Sequence, residues 1–290
     1  MRPFIISTDT TCDWPKSYLD ERGIQIHPLH YVIDGVEYGQ ELENEEPSAK
    51  EFYDMLRDGK MPTTNATNLD YDIRLFENAV QKGFDIIHIA FSSAMSASCS
   101  NANLAAQEVM EKYPESRIEV VDSLSGSGGT GLLVEGAWKR LQDGKSYDEV
   151  LEWTKDAVSR IRVYFSVSDL FSLYRGGRLK KSSAILGTAL KIQPMLYIAA
   201  DGTLQVMGKV RGRQNALNGL VAKLSEAKEK GMLPSKVVVA HGDTEDEAKY
   251  VAEKVSMDYG IDDAPLVMIS PTLGSHTGQG IIIFSYIEGE

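Results

Sequence analysis

The chain has 290 residues, enough for one large domain or two of ordinary size. Hydrophobic residues make up 42% of it, so a packed core is expected and disorder is not. Its 30 basic and 42 acidic side chains give a formal net charge of −12, which argues against a nucleic-acid partner and against lasting contact with an anionic membrane surface.

The N-terminal residues lack the long apolar run of a secretory signal, and no stretch of the sequence approaches the length of a membrane span. A cytoplasmic protein without stable membrane insertion is therefore expected. The two cysteines, Cys12 and Cys99, match neither a metal-binding spacing nor a disulfide framework. We expect no metal and no cofactor.

The first half of the chain alternates short β-branched runs with amphipathic helical stretches. An extended segment at residues 24–33 is turned back at Asp34-Gly35, and Ser48 with Glu51 forms a capping box for the next helix. Residues 62–67 are expected to form a loop. Strands are predicted at 4–6, 86–91 and 118–121, with helices before or after each of them. This alternation predicts a parallel sheet covered by helices on both faces.

The second half has a different pattern. Residues 163–167 alternate like a half-buried strand, and residues 195–206 form a hairpin that turns at Asp201-Gly202. Long helices are predicted at 215–230 and 245–259, and further strands at 237–240, 266–269 and 281–286. We therefore predict an N-terminal α/β domain at residues 1–160 and a C-terminal α+β domain with a mixed sheet at 161–290. No linker separates them, which indicates a shared interface.

Hydroxyl-bearing residues follow each N-terminal strand, where α/β sheets bind their ligands. They suit a small anion such as a carboxylate, held by neutral donors and one histidine. For any single hydroxyl, helix capping is the commoner role. The segments concerned are 8–11, 92–96 and 122–123, joined by the loop 63–65 and by His276 within 274–278.

Three other segments have patterns that occur in known types of site. Residues 126–131 match the pattern G-x-G-x-x-G, but they follow the third strand and no acidic ribose contact comes about twenty residues later, which favours a close-packed turn over a dinucleotide site. His27 and His30 lie in an extended segment where their rings need not converge on a metal. Arg175-Gly176-Gly177-Arg178 is either a helix C-cap or a way of bringing an arginine to the crevice.

A hydrolase is the main alternative to a binding protein. Ser96 or Cys99 would be the nucleophile and His276 the base. The sequence has no G-x-S-x-G elbow, and no acidic residue adjoins His276 to orient it. An orienting acid from a distant part of the sequence is still an open alternative.

Six motifs, in this order along nearly the whole chain, resemble those of the DegV family. They are the segment from Thr8 to Pro15 (TDTTCDWP), the loop Thr64-Asn65-Ala66-Thr67, the segment from Ser92 to Ser98 (SSAMSAS), the strand end Val120-Val121-Asp122-Ser123, the turn Gly176-Gly177-Arg178, and the run His276-Thr277-Gly278-Gln279-Gly280.

The resemblance implies a two-domain protein that binds a long-chain fatty acid, burying the acyl chain between the domains and having no catalytic residue. At the matching positions, Thr64, Ser96 and His276 would hold the carboxylate with Arg178 nearby. The backbone amides of Ser96 and Ala97 are further donors, although Ala97 stands where the family has glycine.

Thr63, from the same loop as Thr64, completes the expected set of ligand-binding residues. Some family members present the carboxylate to a separate fatty-acid kinase, which implies such a partner here. A third role, an acyl-responsive regulator, is not separated from a carrier by the sequence.

Overall fold

The computed structural model describes residues 2–39, 46–180 and 192–290. Its strands are β1 Phe4–Asp9, β2 Gln25–His27, β3 His30–Ile33, β4 Val36–Tyr38, β5 Thr63–Asn65, β6 Asp85–Ala90, β7 Ile118–Asp122, β8 Ile161–Ser166, β9 Ile192–Ile198, β10 Leu204–Arg211, β11 Val237–His241, β12 Leu266–Met268 and β13 Ile282–Ile287. Its helices are α1 Lys16–Asp20, α2 Ala49–Arg57, α3 Leu69–Gln81, α4 Ser98–Lys112, α5 Gly128–Gln142, α6 Tyr147–Arg160, α7 Leu170–Arg175, α8 Arg213–Val221, α9 Leu224–Glu229, α10 Glu245–Tyr259 and α11 Pro271–Thr277. A short 3-10 helix, Thr10–Cys12, follows β1.

The first sheet is parallel, with the strand order β2-β1-β6-β7. Side chains of β6 point alternately to its two faces. Ile86 packs against α3 and α4 in one apolar cluster, whereas Ile87 and Ile89 pack in the cluster that contains Leu133 of α5. The predicted parallel sheet with helices on both faces is therefore confirmed.

The second sheet is mixed, with the order β10-β9-β8-β13-β11-β12, and only its β11–β12 pair is parallel. One face packs on α8 and α10, and the other, with Val163 and Ile283, joins the core cluster around α5. The predicted α+β character of this half is confirmed. Because one core contains residues from both halves, the division at 160/161 into separate domains stays a prediction.

A third, antiparallel sheet joins β4, β3 and β5. The prediction of a loop at 62–67 is wrong for residues 63–65, which form β5, because Thr64 pairs with Tyr31 of β3. Three polar residues show no alternation that sequence reasoning could read; they become a strand only because β3 offers them backbone partners. Asp34 and Gly35 have φ angles of 52° and 82°, as the predicted hairpin turn between β3 and β4 requires.

The helix predicted at 215–230 is instead two helices, α8 and α9. At their junction Lys223 N–H donates to Leu220 O and Ser225 N–H to Ala222 O, and these three-residue spacings tighten the backbone and interrupt the α-helix. Both helices still bury leucines, Leu220 and Leu224, in the same core, so the apolar pattern continues through the break. Among the described helices, none has the length and apolarity of a membrane span.

Candidate functional site

A cavity of about 340 Å³ lies where the three sheets approach one another. Most of the residues in its wall are apolar. Some of them, including Val163, Phe165, Ile198 and Ile283, come from the second sheet, and Phe91 comes from the end of β6. Its polar residues come from β5, the turns before α4 and α5, the turn after α7, and the two ends of α11. An apolar cavity with a few polar groups is typical of a small-molecule site.

Thr64 and His276 form a hydrogen-bonded pair in the cavity wall. Thr64 Oγ1 lies 2.7 Å from His276 Nε2. Thr64 is held in β5, and His276 is in the last turn of the short helix α11, which Pro271 begins. Two of the residues predicted to hold the carboxylate therefore lie together in the fold, and their role in binding stays a prediction.

His276 is neutral at pH 7. Burial, followed by the nearby positive charges of Arg178 and Arg175, lowers its pKa to about 4. Its Nδ1 has no hydrogen-bond partner among the described residues and lies against Gly176. The ring can therefore take part in hydrogen bonds without adding a charge to the cavity.

Ser96 lies in the turn between β6 and α4, and its side chain belongs to a local network. Its Oγ is 2.9 Å from Ser98 Oγ and accepts the N–H of Ser98 at 3.2 Å. Its own N–H donates to Ser92 O at 3.1 Å, so this amide, expected as a ligand donor, already has a partner within the turn. Ala97 lines the cavity next to it.

Arg178 connects the turn after α7 to the turn that contains Ser96. Its Nε donates to Met95 O at 2.9 Å, and its Nη1 donates to Gly176 O at 2.6 Å. Burial lowers the pKa of Arg178, yet an arginine keeps its charge. Gly177, with a φ of 75°, has the left-handed conformation expected after a helix, whereas Gly176 does not. The motif thus provides both a helix end and a cavity arginine.

Thr63 lies apart from the other predicted residues. It lines a neighbouring cavity of about 340 Å³ and not the main one. Thr64, Arg178 and His276 line both cavities, so they form the boundary between them.

Three of the strand-end hydroxyls have partners within the protein, and these partners are backbone carbonyls outside helices, not the helix N–H groups that capping would involve. Thr8 Oγ1 donates to Ile89 O, Ser92 Oγ to Gly202 O and Ser123 Oγ to Ser125 O. The buried carboxylate of Asp9 accepts the Phe91 N–H at 2.7 Å, and burial raises its pKa to about 6. The strand ends therefore contain a buried acid as well as neutral donors.

The glycine-rich segment at 126–131 begins α5 and packs closely on its surroundings. A Cβ on Gly129 would lie 2.2 Å from Ser125 Oγ, and one on Gly131 would lie 2.8 Å from Cys12 O. Sequence reasoning missed that Gly126 and Ser127 also line the cavity. Their position after the third strand could have indicated this, because ligands of α/β sheets bind at strand ends. The glycine pattern was instead interpreted only as a close-packed turn.

The other histidines are separate from the cavity. His27 contacts Asp72 at 2.7 Å and His30 contacts Glu37 at 3.1 Å, so their rings do not converge. The described residues contain no cluster of His, Cys, Asp and Glu that could hold a metal ion.

The catalytic alternative finds little geometric support in the described part of the chain. His276 is bonded to Thr64, and its Nδ1 has no carboxylate to orient it. Burial raises the pKa of the Cys99 thiol to about 12, which keeps it protonated and weakly nucleophilic at pH 7.

The fold defines a three-sheet protein with an α/β first half, an α+β second half and an internal cavity lined mostly by apolar residues. The chain belongs to the DegV family: the family model described as "Uncharacterised protein, DegV family" matches residues 3–289. A DegV domain-containing protein of Clostridium perfringens is 35% identical over 287 residues, covering 99% of this chain and 98% of the relative. One from Streptococcus pyogenes is 31% identical over 279 residues, covering 96% of each.

Solved structures share the fold. A DegV family protein from Thermus thermophilus, described by its fatty acid binding, has a TM-score of 0.86 at 28% identity and covers 99% of this chain and 100% of its own. DegV from Bacillus subtilis, described as a fatty acid binding protein, has a TM-score of 0.85 at 27% identity with the same coverage of 99% and 100%.

Proposed function

We propose that this protein is a carrier that binds a long-chain fatty acid, with the acyl chain in the apolar cavity and the carboxylate beside Thr64, Ser96 and His276. The observation that carries the proposal is the composition of the cavity wall, in which apolar residues outnumber polar ones and the polar ones include these three residues and Arg178. The relatives from T. thermophilus and B. subtilis, described as binding fatty acids, support the same ligand class.

The polar patch has the properties that a carboxylate requires. When its Nε2 carries the proton, His276 donates to Thr64 Oγ1, and the Thr64 hydroxyl hydrogen is then available to the ligand. The guanidinium of Arg178 supplies the positive charge that keeps a half-buried carboxylate ionised. Ala97 N–H and Thr63 are further candidate donors, Thr63 from the neighbouring cavity.

The apolar wall supplies most of the binding free energy. Burying about fifteen methylenes is worth roughly 12 kcal/mol at ~0.8 kcal/mol each. Lost translational freedom and ordering of the chain cost about 4–8 kcal/mol, and the contacts to the carboxylate return some of it. The surplus of roughly 4–8 kcal/mol corresponds to a dissociation constant between about 1 mM and 1 μM before the carboxylate contacts are added. At the tight end of this range the ligand is expected to survive purification.

In this proposed function the protein is a carrier without catalytic turnover. It works in the cytoplasm with a separate fatty-acid kinase. The resemblance to kinase-coupled family members is the first support for the kinase. The second is that Thr64, Arg178 and His276 line both cavities, so a carboxylate at this boundary faces the neighbouring cavity as well as the main one. The alternative is an acyl hydrolase that uses Ser96 or Cys99, and the fluorophosphonate experiment in the Discussion distinguishes it from a carrier.

Organic extraction of freshly purified protein, followed by mass spectrometry, tests the proposal. Near-stoichiometric long-chain fatty acid is expected, and palmitate or oleate added to delipidated protein should raise the melting temperature because it binds only the folded state. Hexadecane, which has as many carbons as palmitate but no carboxylate, is the matched control and should raise the melting temperature less. An empty extract together with no thermal shift from either fatty acid would contradict the proposal.

A further inference from the structure

A chain of buried hydrogen bonds runs from the polar end of the cavity into the core of the first half. Ser96 Oγ lies 2.9 Å from Ser98 Oγ, which accepts the N–H of Thr67 at 3.2 Å. Thr67 Oγ1 donates to Asp72 Oδ2 at 2.7 Å, and Asp72 Oδ1 contacts His27 Nδ1 at 2.7 Å. All of these residues except Ser96 are buried.

The same contacts join the two segments that carry the polar patch. Thr67 follows β5, which holds Thr64, whereas Ser98 begins α4 two residues after Ser96. Besides the Thr67 N–H bond to Ser98, Asn101 of α4 donates to Thr67 O at 2.7 Å. The distance between the hydroxyls of Thr64 and Ser96 is therefore set by bonds that neither residue makes itself.

The network also determines whether the Ser96 hydroxyl can donate a hydrogen bond to a ligand. Ser96 Oγ already accepts the Ser98 N–H at 3.2 Å. If the Ser98 hydroxyl also donates to Ser96 Oγ, both acceptor positions of Ser96 are filled and its own hydrogen is left to point into the cavity. If instead Ser96 donates to Ser98, Ser96 presents only its remaining lone pair to a ligand, and this lone pair repels a carboxylate.

We propose that Ser98 is a positioning residue that makes the Ser96 hydroxyl a donor toward the ligand, and that Thr67 and Asp72 anchor it. The inference rests on the proposed function, since it assumes a carboxylate beside Ser96. Asp72 is held by Thr67 and His27, so it fixes the Thr67 side chain, and the Thr67 backbone in turn occupies one lone pair of Ser98. Among the described residues, Ser96 Oγ is the one hydrogen-bond acceptor recorded for the Ser98 hydroxyl, and Ser98 is buried, so its hydrogen is satisfied by donating to Ser96.

The experiment compares two probes, oleate and oleyl alcohol, which share the chain and differ in the head group. An alcohol can donate as well as accept, so it does not need the Ser96 hydrogen. Ser98→Ala should weaken oleate binding about tenfold and change oleyl alcohol binding less than about twofold. Ser98→Thr keeps the hydroxyl and should bind oleate within about twofold of the wild type.

A double-mutant cycle shows whether Ser98 acts through Ser96. In the Ser96→Ala background, Ser98→Ala should cause no further loss of oleate binding. Equal losses for oleate and oleyl alcohol, or additive losses in the double variant, would overturn the inference in favour of a structural role. Should Ser98→Ala not fold, Ser98→Cys keeps nearly the same shape with a weak donor and takes its place in every comparison.

The two proposals fail in different ways. Wild-type protein that binds neither oleate nor palmitate contradicts fatty-acid binding itself. Wild-type protein that binds oleate and loses affinity in Ser96→Ala, while Ser98→Ala binds as the wild type does, contradicts only the positioning role.

Discussion

A methyl group on Gly176 would lie 2.1 Å from Nδ1 of His276. The backbone of this glycine therefore lies directly against the Nδ1 edge of the imidazole, whereas Nε2 of the same ring contacts Thr64. The φ of Gly176 is −71°, which any residue can adopt, so its side chain is excluded by contact with His276 and not by backbone strain.

Gly176→Ala is expected to displace the His276 ring and weaken oleate binding about tenfold or more, because the contact with Thr64 is lost. Gly177→Ala is the matched control: its Cβ would meet no atom within 4 Å, but its φ of 75° strains an alanine. It should lower the free energy of unfolding by about 1 kcal/mol and leave affinity nearly unchanged. Equal affinities of the two variants in calorimetry would contradict the role assigned to this contact.

Removing single donors from the polar patch should weaken binding without unfolding the protein. Thr64→Ala, Ser96→Ala and His276→Ala should each cost on the order of 1–3 kcal/mol of binding free energy, since the carboxylate stays desolvated. Circular dichroism should remain native. Ser92→Ala is the control, because its hydroxyl donates to Gly202 O and does not line the cavity. Unchanged oleate affinity in all three patch variants would refute the assignment.

Ser96 should be inert toward a fluorophosphonate probe. Its hydroxyl contacts Ser98, and His276 has no orienting carboxylate among the described residues, so no activated nucleophile is expected. A serine esterase labelled in the same reaction is the positive control, and intact-protein mass spectrometry is the readout. Specific labelling that disappears in both Ser96→Ala and His276→Ala would support the hydrolase instead.

Asp13 should make stability fall as pH rises toward 7. Burial raises its pKa to about 7, although its carboxylate accepts hydrogen bonds from Ser127 Oγ at 2.6 Å and Ser270 N–H at 2.9 Å. The unfolded chain releases this proton near pH 4, so between about pH 4 and pH 7 the folded state binds the extra proton and is progressively destabilised as pH increases. The contribution is fully present below pH ~4 and lost above pH ~7.

Asp13→Asn should remove this pH dependence. Asparagine tolerates the φ of 57° at this position and carries no charge. From pH 4 to pH 8, the wild type should lose on the order of 2–4 kcal/mol of unfolding free energy relative to the variant, measured by urea denaturation. Asp201→Asn, in an exposed turn, makes the same change in net charge and should keep the wild-type slope. Parallel pH profiles for the wild type and Asp13→Asn would contradict the prediction.

Local features of the sequence determined the order and type of most elements. The capping box of Ser48 and Glu51 is present at the start of α2, and the turns at Asp34-Gly35 and Asp201-Gly202 join the strands that they were expected to join. Such features depend on atoms a few residues apart, so their energetics can be read from the sequence directly. The candidate residues Thr64, Ser96 and His276 came from the resemblance of the motifs, which named them without placing them.

Tertiary structure alone decided which of these residues meet. Thr64 and His276 are 212 positions apart, and they come together because β5 pairs with β3 while α11 packs beside both. The contact between Ser98 and Thr67, and that between Gly176 and His276, leave no local pattern, since Ser98 reads as an ordinary residue of a helix start and Gly176 as an ordinary helix end. Hydrogen-bond geometry and steric exclusion act over a few ångströms in space, and only the packing of distant segments brings such atoms within that range.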